Sequence, residues 1–381
     1  TRQVAKSGSG LSDIVTTAAY DSTCSNVRTC NQPNSTTDAR GYRTDYTYDS
    51  THGGVLTVTS PAPSGSTPVG SGTRPQTRLS YTQLYAYYRQ SSGGGVTVAP
   101  SAIYRLTGTS ACATTSSCSG GSDETVSTIG YGSTGVANNR APLSTSSGAG
   151  NGSLTATVSN SYDNVGNVSE VDGPLSGSGD TTKYVYDAAR RRLGVIGPDP
   201  DSGGSLLNRA IRYNYDGHGW VSSVDRGTAS GGTWANFSAL ETLNVAYDGA
   251  GRRIRESFVT GSTTHAVTQY SYNSASFLEC VAVRMNPSVF GSLPSSACSL
   301  GTEGSNGPDR ITRYTYDITD RVTNVASAYG TSNQQNTLAQ THTTNGLVAT
   351  MTDANGNVTT YEYDGFDRTR KICFPNISGG G

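Results

Sequence analysis

The stretch Asp353–Pro375, DANGNVTTYEYDGFDRTRKICFP, decides the fold. Tyr361 and Tyr363 stand two places apart, so on a strand both rings project from one face. Asp364 follows, and its carboxylate can bond backbone amides two residues on, which opens a turn. Four places after Tyr363 is Asp367, a residue type that tolerates positive φ. A left-handed residue closing a short loop belongs to a β-hairpin. A short alternating strand follows, and Pro375, unable to continue a central strand, marks a return loop. The stretch predicts one antiparallel hairpin plus a return.

The same pattern recurs along the chain. Its copies carry Tyr46, Tyr48 and Asp49; Tyr184, Tyr186 and Asp187; Tyr213, Tyr215 and Asp216. Further copies carry Tyr247 and Asp248; Tyr270 and Tyr272 before Asn273; Tyr314, Tyr316 and Asp317. Weaker copies end at Asp21 and at Tyr162–Asp163, and a decayed one lies at His342 in THTTNGLVATMTD. The left-handed place falls on Gly166, Gly219 and Gly251, on Asp320 and Asp367, and on His52 beside Gly53. Arg190 fits it poorly, which predicts an altered turn there. Strands are expected behind the turns at Asn167–Val171, Trp220–Val224 and Arg321–Val325, with returns at the prolines after Gly173 and Gly197. Second tyrosines at 162, 186, 215, 247 and 272 give a period in the twenties to low thirties, one hairpin unit per repeat. The tyrosine rings are expected to pack on the sheet with their hydroxyls left in water. Cross-strand ladders add about 0.2–1 kcal/mol per pair.

Asp353–Pro375 resembles a complete RHS repeat, Asp38–Asp49 (DARGYRTDYTYD) running on to Pro61 resembles another, and Tyr247–Ile254 (YDGAGRRI) resembles the YD-repeat turn. The chain is thus similar to RHS/YD-repeat proteins over roughly Ala18–Pro61 and Ser159–Pro375. The resemblance implies an all-β fold of tandem antiparallel hairpins in a curved or spiralling sheet whose ends can polymerise. The family includes toxin-enclosing bacterial shells, toxin-complex cocoons, wall-associated proteins and teneurin-like adhesion proteins. In the toxin shells a motif after the last repeats self-cleaves. The sequence shows no such motif before FPNISGGG, so no catalytic aspartate is carried over.

Between Ser64 and Ser153 the pattern fades into Gly, Ser and Thr. RLSYTQLYAYY at Arg78–Tyr88 is too aromatic for a linker, which favours drifted repeats with loop insertions. The expected organisation is 1–63, 64–158 and 159–381 as parts of one continuous structural unit.

Composition narrows the function. Charged residues are 14% of the chain, against about 25% in ordinary globular proteins, and the net charge is −1. With 27 Lys+Arg against 28 Asp+Glu, the 23 tyrosines have no basic groove to serve as a nucleic-acid platform. No apolar stretch is long enough for a membrane span or a signal peptide. Because the sequence begins at Thr1, it reads as a processed product or a fragment. Cys24 and Cys30 bracket one short loop, Cys112 and Cys118 another, and Cys280 and Cys298 frame an insertion, with Cys373 left over. Three disulfides and an oxidising, extracellular or cell-surface location are expected.

No distinctive catalytic set stands out. His52 and His218 fall in turns, His342 replaces a repeat tyrosine, and His265 falls in a loop; all four read as structural or surface residues. The repeat aspartates recur at every turn, whereas catalysis needs one constellation. Oxygen ligands for calcium exist at Asp199 and Asp201 and at Asp353, Asn355 and Gly356, but neither set matches a calcium loop, so Asx turns and no cofactor are expected. Arg190–Arg192 reads as a solvated strand edge. Glycosylation sequons include Asn34, Asn151, Asn236 and Asn376. The expected function is a non-catalytic secreted or cell-surface scaffold, the protomer of an extracellular fibre. Its expected partners are copies joined through exposed sheet ends, further repeats of a longer chain, and glycans. The alternatives are a fragment of a toxin-enclosing shell and a carbohydrate-binding or adhesive module.

Overall fold

From Thr17–Ala19 on, the described strands pair antiparallel in sequence order, as hairpins joined by returns require. The computed structural model describes residues 2–3, 13–62, 72–90, 94–177, 179–201 and 203–375. The expected boundary at 63/64, Ser202 of the Asp199 loop, Asn376 and the C-terminal glycines lie outside the described residues.

Two units are distinguished: Thr1–Arg191 with Gly197–Leu206, and Arg192–Ile196 with Leu207–Gly381. In the first, strands run in sequence order from Thr17–Ala19 to Thr182–Tyr186. Arg2–Gln3 and Ile14–Val15 form a separate short pair. In the second, the ladder runs from Arg192–Ile196 to Thr369–Cys373. Among the described residues, helix is confined to three one-turn 3-10 segments, Ser230–Gly232, Trp234–Asn236 and Pro287–Val289. The chain is therefore all-β and built of tandem hairpins.

RLSYTQLYAYY lies inside Gln76–Arg89, which pairs with Val96–Cys112 as the longest hairpin described. The ladder continues through Glu124–Tyr131, Pro142–Ala149 and Thr155–Tyr162. Alternation of Tyr, Leu and Val with polar residues is enough for strands here, although no Tyr-Asp turn joins them. Asn139, almost fully buried, mends the irregularity in the long strand by accepting from Tyr87 N–H and donating to Tyr85 C=O, both at 2.8 Å.

The interior is thin. Only thirteen apolar residues are buried among the described residues, and four of them are cysteines. One cluster joins Ile196, Ala210 and Ala229 under Trp234 and Phe237. Glycine is required at 194, because a Cβ there would lie 2.1 Å from the Trp234 ring. A second cluster joins Cys280, Ala282, Ala297 and Ile311 beneath the insertion.

All three expected disulfides are present, with Cα separations of 5.0 Å (Cys24–Cys30), 5.6 Å (Cys112–Cys118) and 5.2 Å (Cys280–Cys298), all within the bridging range. The weak copy ending at Asp21 makes no YD turn; the chain runs into the Cys24–Cys30 loop instead. That loop grips the neighbouring turn, Asn26 donating to Ser50 C=O and Gln32 to Gly53 C=O, each at 2.8 Å.

Beneath the Cys280–Cys298 insertion lies an ion pair that the sequence did not announce. Arg284 and Asp309 meet at 2.6 Å with side chains 2% and 5% exposed. The remaining Arg284 donors go to Gln269 Oε1, Ser296 C=O and Ser299 C=O, and Asp309 also accepts from Met285 N–H and Gly301 N–H. Removing one partner leaves the other charged, buried and uncompensated. Asp309→Ala is expected to destabilise the second unit by about 3–5 kcal/mol. Urea denaturation followed by hydrogen exchange of the strands Thr263–Tyr272 and Arg310–Tyr316 will measure it.

Candidate functional site

The recurring device of the chain is a turn joined to a tyrosine clamp. At Asp163, Asp187, Asp216, Asp248, Asp317 and Asp364 the aspartate N–H donates to the carbonyl four residues on. The N–H three residues on returns the bond to the aspartate carbonyl. The left-handed place is taken by Gly166, Gly219 and Gly251 (φ 87°, 86° and 77°), by Ser276, and by Asp320 and Asp367 as expected. Arg190 also takes it, at φ 64°, and the Asp187 turn keeps both bonds. The altered turn expected there does not occur: the clamped loop forces the conformation on a residue that resists it. In the Asp49 loop one more residue is present, and Gly53 rather than His52 turns left-handed.

The aspartate side chain does more than the sequence suggested. One oxygen accepts from the N–H groups two and four residues on, as at Asp163 from Val165 (3.0 Å) and Asn167 (2.8 Å). The other oxygen takes the side chain four residues on, Arg191, Arg252, Arg321 or Arg368. Asn167 and Asn357 take that place beside Asp163 and Asp353. The sequence carries this basic or amide residue four places after Asp163, Asp187, Asp248, Asp317, Asp353 and Asp364, whereas Asp216 has Trp220 there. Arg190 and Arg192 are solvent-exposed as expected, but two of the three arginines also serve the turns: Arg191 pairs with Asp187, and Arg190 donates to Asn167 Oδ1 at 2.9 Å. The guanidinium of Arg368, then the Phe366 N–H, hold the Asp364 carboxyl down at about 2. Asp248 is lowered in the same way by Arg252, and Asp353 by Asn357. At Asp317 burial works upward, yet Thr319 and Arg321 hold it well below the usual range.

The paired tyrosines share a face, as Tyr46 and Tyr48 show with ring centroids 6.5 Å apart. First tyrosines lie opposite a β-branched residue: Tyr46 faces Val58, Tyr213 Val224, Tyr270 Val281, Tyr314 Val325 and Tyr361 Ile372. Tyr184 and Tyr186 lie in the strand Thr182–Tyr186. The second tyrosines sit at a β-bulge. Register shifts occur there at Tyr48, Tyr162, Tyr215, Tyr247, Tyr272, Tyr316 and Tyr363, and at His342. Their hydroxyls are not left in water. Each of these seven donates to a carbonyl at or near the start of the strand one hairpin back: Pro33, Pro142, Arg192, Val221, Arg253, Leu278 and Val348, at 2.7–3.0 Å. In the decayed repeat Gln340 takes over, its amide donating to Val322 C=O at 2.7 Å. The opposite face is small and polar, with Thr47–Thr57, Asn214–Ser223 and Thr341–Thr350 bonded across strands.

Other groups are spent on structure. His52 packs between Tyr81 and Tyr104, and His218 stacks on Trp220. His265 lies in the strand Thr263–Tyr272 rather than a loop, against Phe258. His342 is buried 3.7 Å from Asp317. A cleft of about 640 Å³ lies between Gly291–Ser296 and the strands bearing Arg255, Gln269, Ser271 and Glu279. Within it Gln269 is bonded to Arg284 and Pro294, Ser271 to the Ala297 N–H, and Glu279 to Arg313. Cys112, Cys118 and Asp123 lie together, but the sulfurs are joined and Asp123 accepts from Thr114 and Thr115. Both Asp353 oxygens are occupied by the turn, and Asp201 accepts from the Leu206 N–H.

Residues 342–370 match the RHS Repeat family. No curated protein sequence matches the chain. Among solved structures, one described as TcdB2-TccC3-TEV shares 13% identity and a TM-score of 0.31, covering 97% of this chain and 22% of that one. A Photorhabdus luminescens Tc holotoxin pore shares 12% identity and a TM-score of 0.31, covering 91% and 20%. A porin-like protein from Bacteroides uniformis shares 10% identity and a TM-score of 0.23, covering 78% and 89%. This chain thus spans about a fifth of the Tc chains, and the likeness at these scores carries no weight for function.

Two outcomes follow from the clamp. Tyr316→Phe is expected to cost about 0.5–1.5 kcal/mol by orphaning the Leu278 carbonyl. Tyr314→Phe, whose hydroxyl has no partner among the described residues, is expected to cost almost nothing; urea denaturation of both variants compares them. The carboxyl of Asp364 falls from 3.8 to about 2 on folding, so its contribution is complete above pH ~4 and is lost as pH falls through about 2. Tyrosine near-ultraviolet circular dichroism should therefore hold steady from pH 7 to about 4 and decline below it.

Proposed function

We propose that this chain, which carries an RHS repeat at residues 342–370, is a non-catalytic structural scaffold that works outside the cytoplasm. The observation that carries the reading is the uniformity of the clamp. The turn carboxylates are spent on closing their own turns, the second-tyrosine hydroxyls on holding one hairpin to the next, and the stacked histidines on packing against aromatic rings. Three disulfides suit an oxidising compartment, and no described helix is long and apolar enough to cross a membrane.

The form proposed for the scaffold is a protomer of an extracellular fibre. A ladder that pairs only between sequence neighbours keeps an edge at each end, and an edge with few charges can accept another strand. Copies of the chain, or further repeats of a longer one, would supply it. Joined head to tail without rotational closure, such units give a filament. The RHS repeat also suits the wall of a toxin-enclosing shell, and that is the second reading.

Negative-stain electron microscopy of native material at two protein concentrations tests both. Fibres with an axial repeat of one chain are the expected result. Hollow particles would replace the fibre with the shell, and monomers at both concentrations would overturn self-association.

A further inference from the structure

Six Asn-x-Ser/Thr sequons occur, at Asn34, Asn151, Asn167, Asn236, Asn357 and Asn376, the last outside the described residues. The structure separates the other five by what their side-chain amides do. Asn34 Nδ2 donates to Asp21 Oδ1 at 2.7 Å. Asn167 and Asn357 donate to the aspartates of their own turns, at 2.8 and 2.9 Å, and complete those turns. Asn236 donates to Ser230 C=O at 3.1 Å, tying the 3-10 segment Trp234–Asn236 to the one before it. Asn151 differs. It stands at the tip between the strands Pro142–Ala149 and Thr155–Tyr162, and every residue from Asn151 to Leu154 is exposed. Its Oδ1 accepts the Ser153 N–H at 3.0 Å, while its Nδ2 has no partner among the described residues. Gly152, the middle residue of the sequon, has φ 72° and open space where a Cβ would point.

We propose that Asn151 is an N-glycan acceptor of the folded protein. The proposal rests on the reading that the chain is exported, since the donor, a lipid-pyrophosphate-linked oligosaccharide, is met on the export route. In the transfer Nδ2 forms a bond to C1 of the first sugar as the bond from C1 to the pyrophosphate oxygen breaks. The amide proton leaves to a base of the transferase, and lipid pyrophosphate departs. At the Asn151 tip this costs no contact of the fold. The short Asn-Gly-Ser turn holds Oδ1 on the Ser153 N–H and leaves Nδ2 facing outward. At Asn167 or Asn357 the same transfer would remove the donor that completes an aspartate turn, and at Asn34 it would break the bond to Asp21. A glycan at Asn151 would also place a hydrated group beside the exposed Leu154, on a chain with little charge to keep it soluble.

The test is to secrete the chain, behind an added cleavable signal, from a eukaryotic host and map its sequons by peptide mass spectrometry after N-glycosidase treatment in heavy-oxygen water. The expected result is Asn151 modified in most molecules and Asn34, Asn167 and Asn357 in few. Ser153→Ala should abolish the modification while the far-ultraviolet spectrum stays the same, because the turn uses the Ser153 backbone and not its hydroxyl. An unmodified Asn151 in folded, secreted protein would overturn the proposal, as would equal occupancy at the turn asparagines. Because the added signal fixes the route, the result reports on the site alone. The protein's own location is read separately, from the extracellular fraction of its source.

Discussion

The hydrogen bond from a second tyrosine to the carbonyl one hairpin back is the interaction on which the rest of the structure depends. A thin sheet with few buried apolar groups cannot rely on a core to set the angle between hairpins. The bulge at each second tyrosine aims its ring across the adjacent strand of the preceding hairpin, and the hydroxyl ends on a carbonyl at or near the start of that hairpin's later strand, just past its turn. The clamp reaches Leu278 from Tyr316 despite the intervening insertion, because the carbonyl is set by strand order and not by sequence distance. Gln340 shows that the bond, not the ring, is what the site requires.

The aspartate turns meet a second constraint. A left-handed residue costs energy unless it is glycine, and several turns have none. The carboxylate compensates by collecting two backbone amides and a side chain in one small loop. Arg190 can therefore adopt φ 64° within a turn whose bonds are otherwise the same as those built on Gly251. The lowered carboxyls are the electrostatic signature of the same arrangement.

Much of this could be read in the residues. Tyr-x-Tyr-Asp announced strand, face and turn together, and the cysteine spacing announced three local bridges. What escaped reading depends on contacts between hairpins. The destination of a tyrosine hydroxyl is a backbone carbonyl, which has no letter in the sequence. Arg284 and Asp309 are 25 residues apart and meet only because the insertion folds back over the strands. His265 looked like a loop residue in a Gly/Ser/Thr-rich stretch, yet two tight residues at 261–262 suffice for the turn and leave it on the strand. The long Gln76–Cys112 hairpin hid its pairing because none of its turns uses aspartate.

The reach of the clamp has a mechanical consequence. Each tyrosine ties its hairpin to the one before and no further, so tension applied along an array of such repeats is carried by one clamp at a time. Peeling away one hairpin strips only its neighbour of a clamp, and the next stays closed until the load arrives there. Such a strip yields in small, repeated steps, each dissipating work, instead of failing at once. The disulfide across the insertion, between Cys280 and Cys298, would stop the peeling of that segment, since the covalent bond holds after the hydrogen bonds around it have opened.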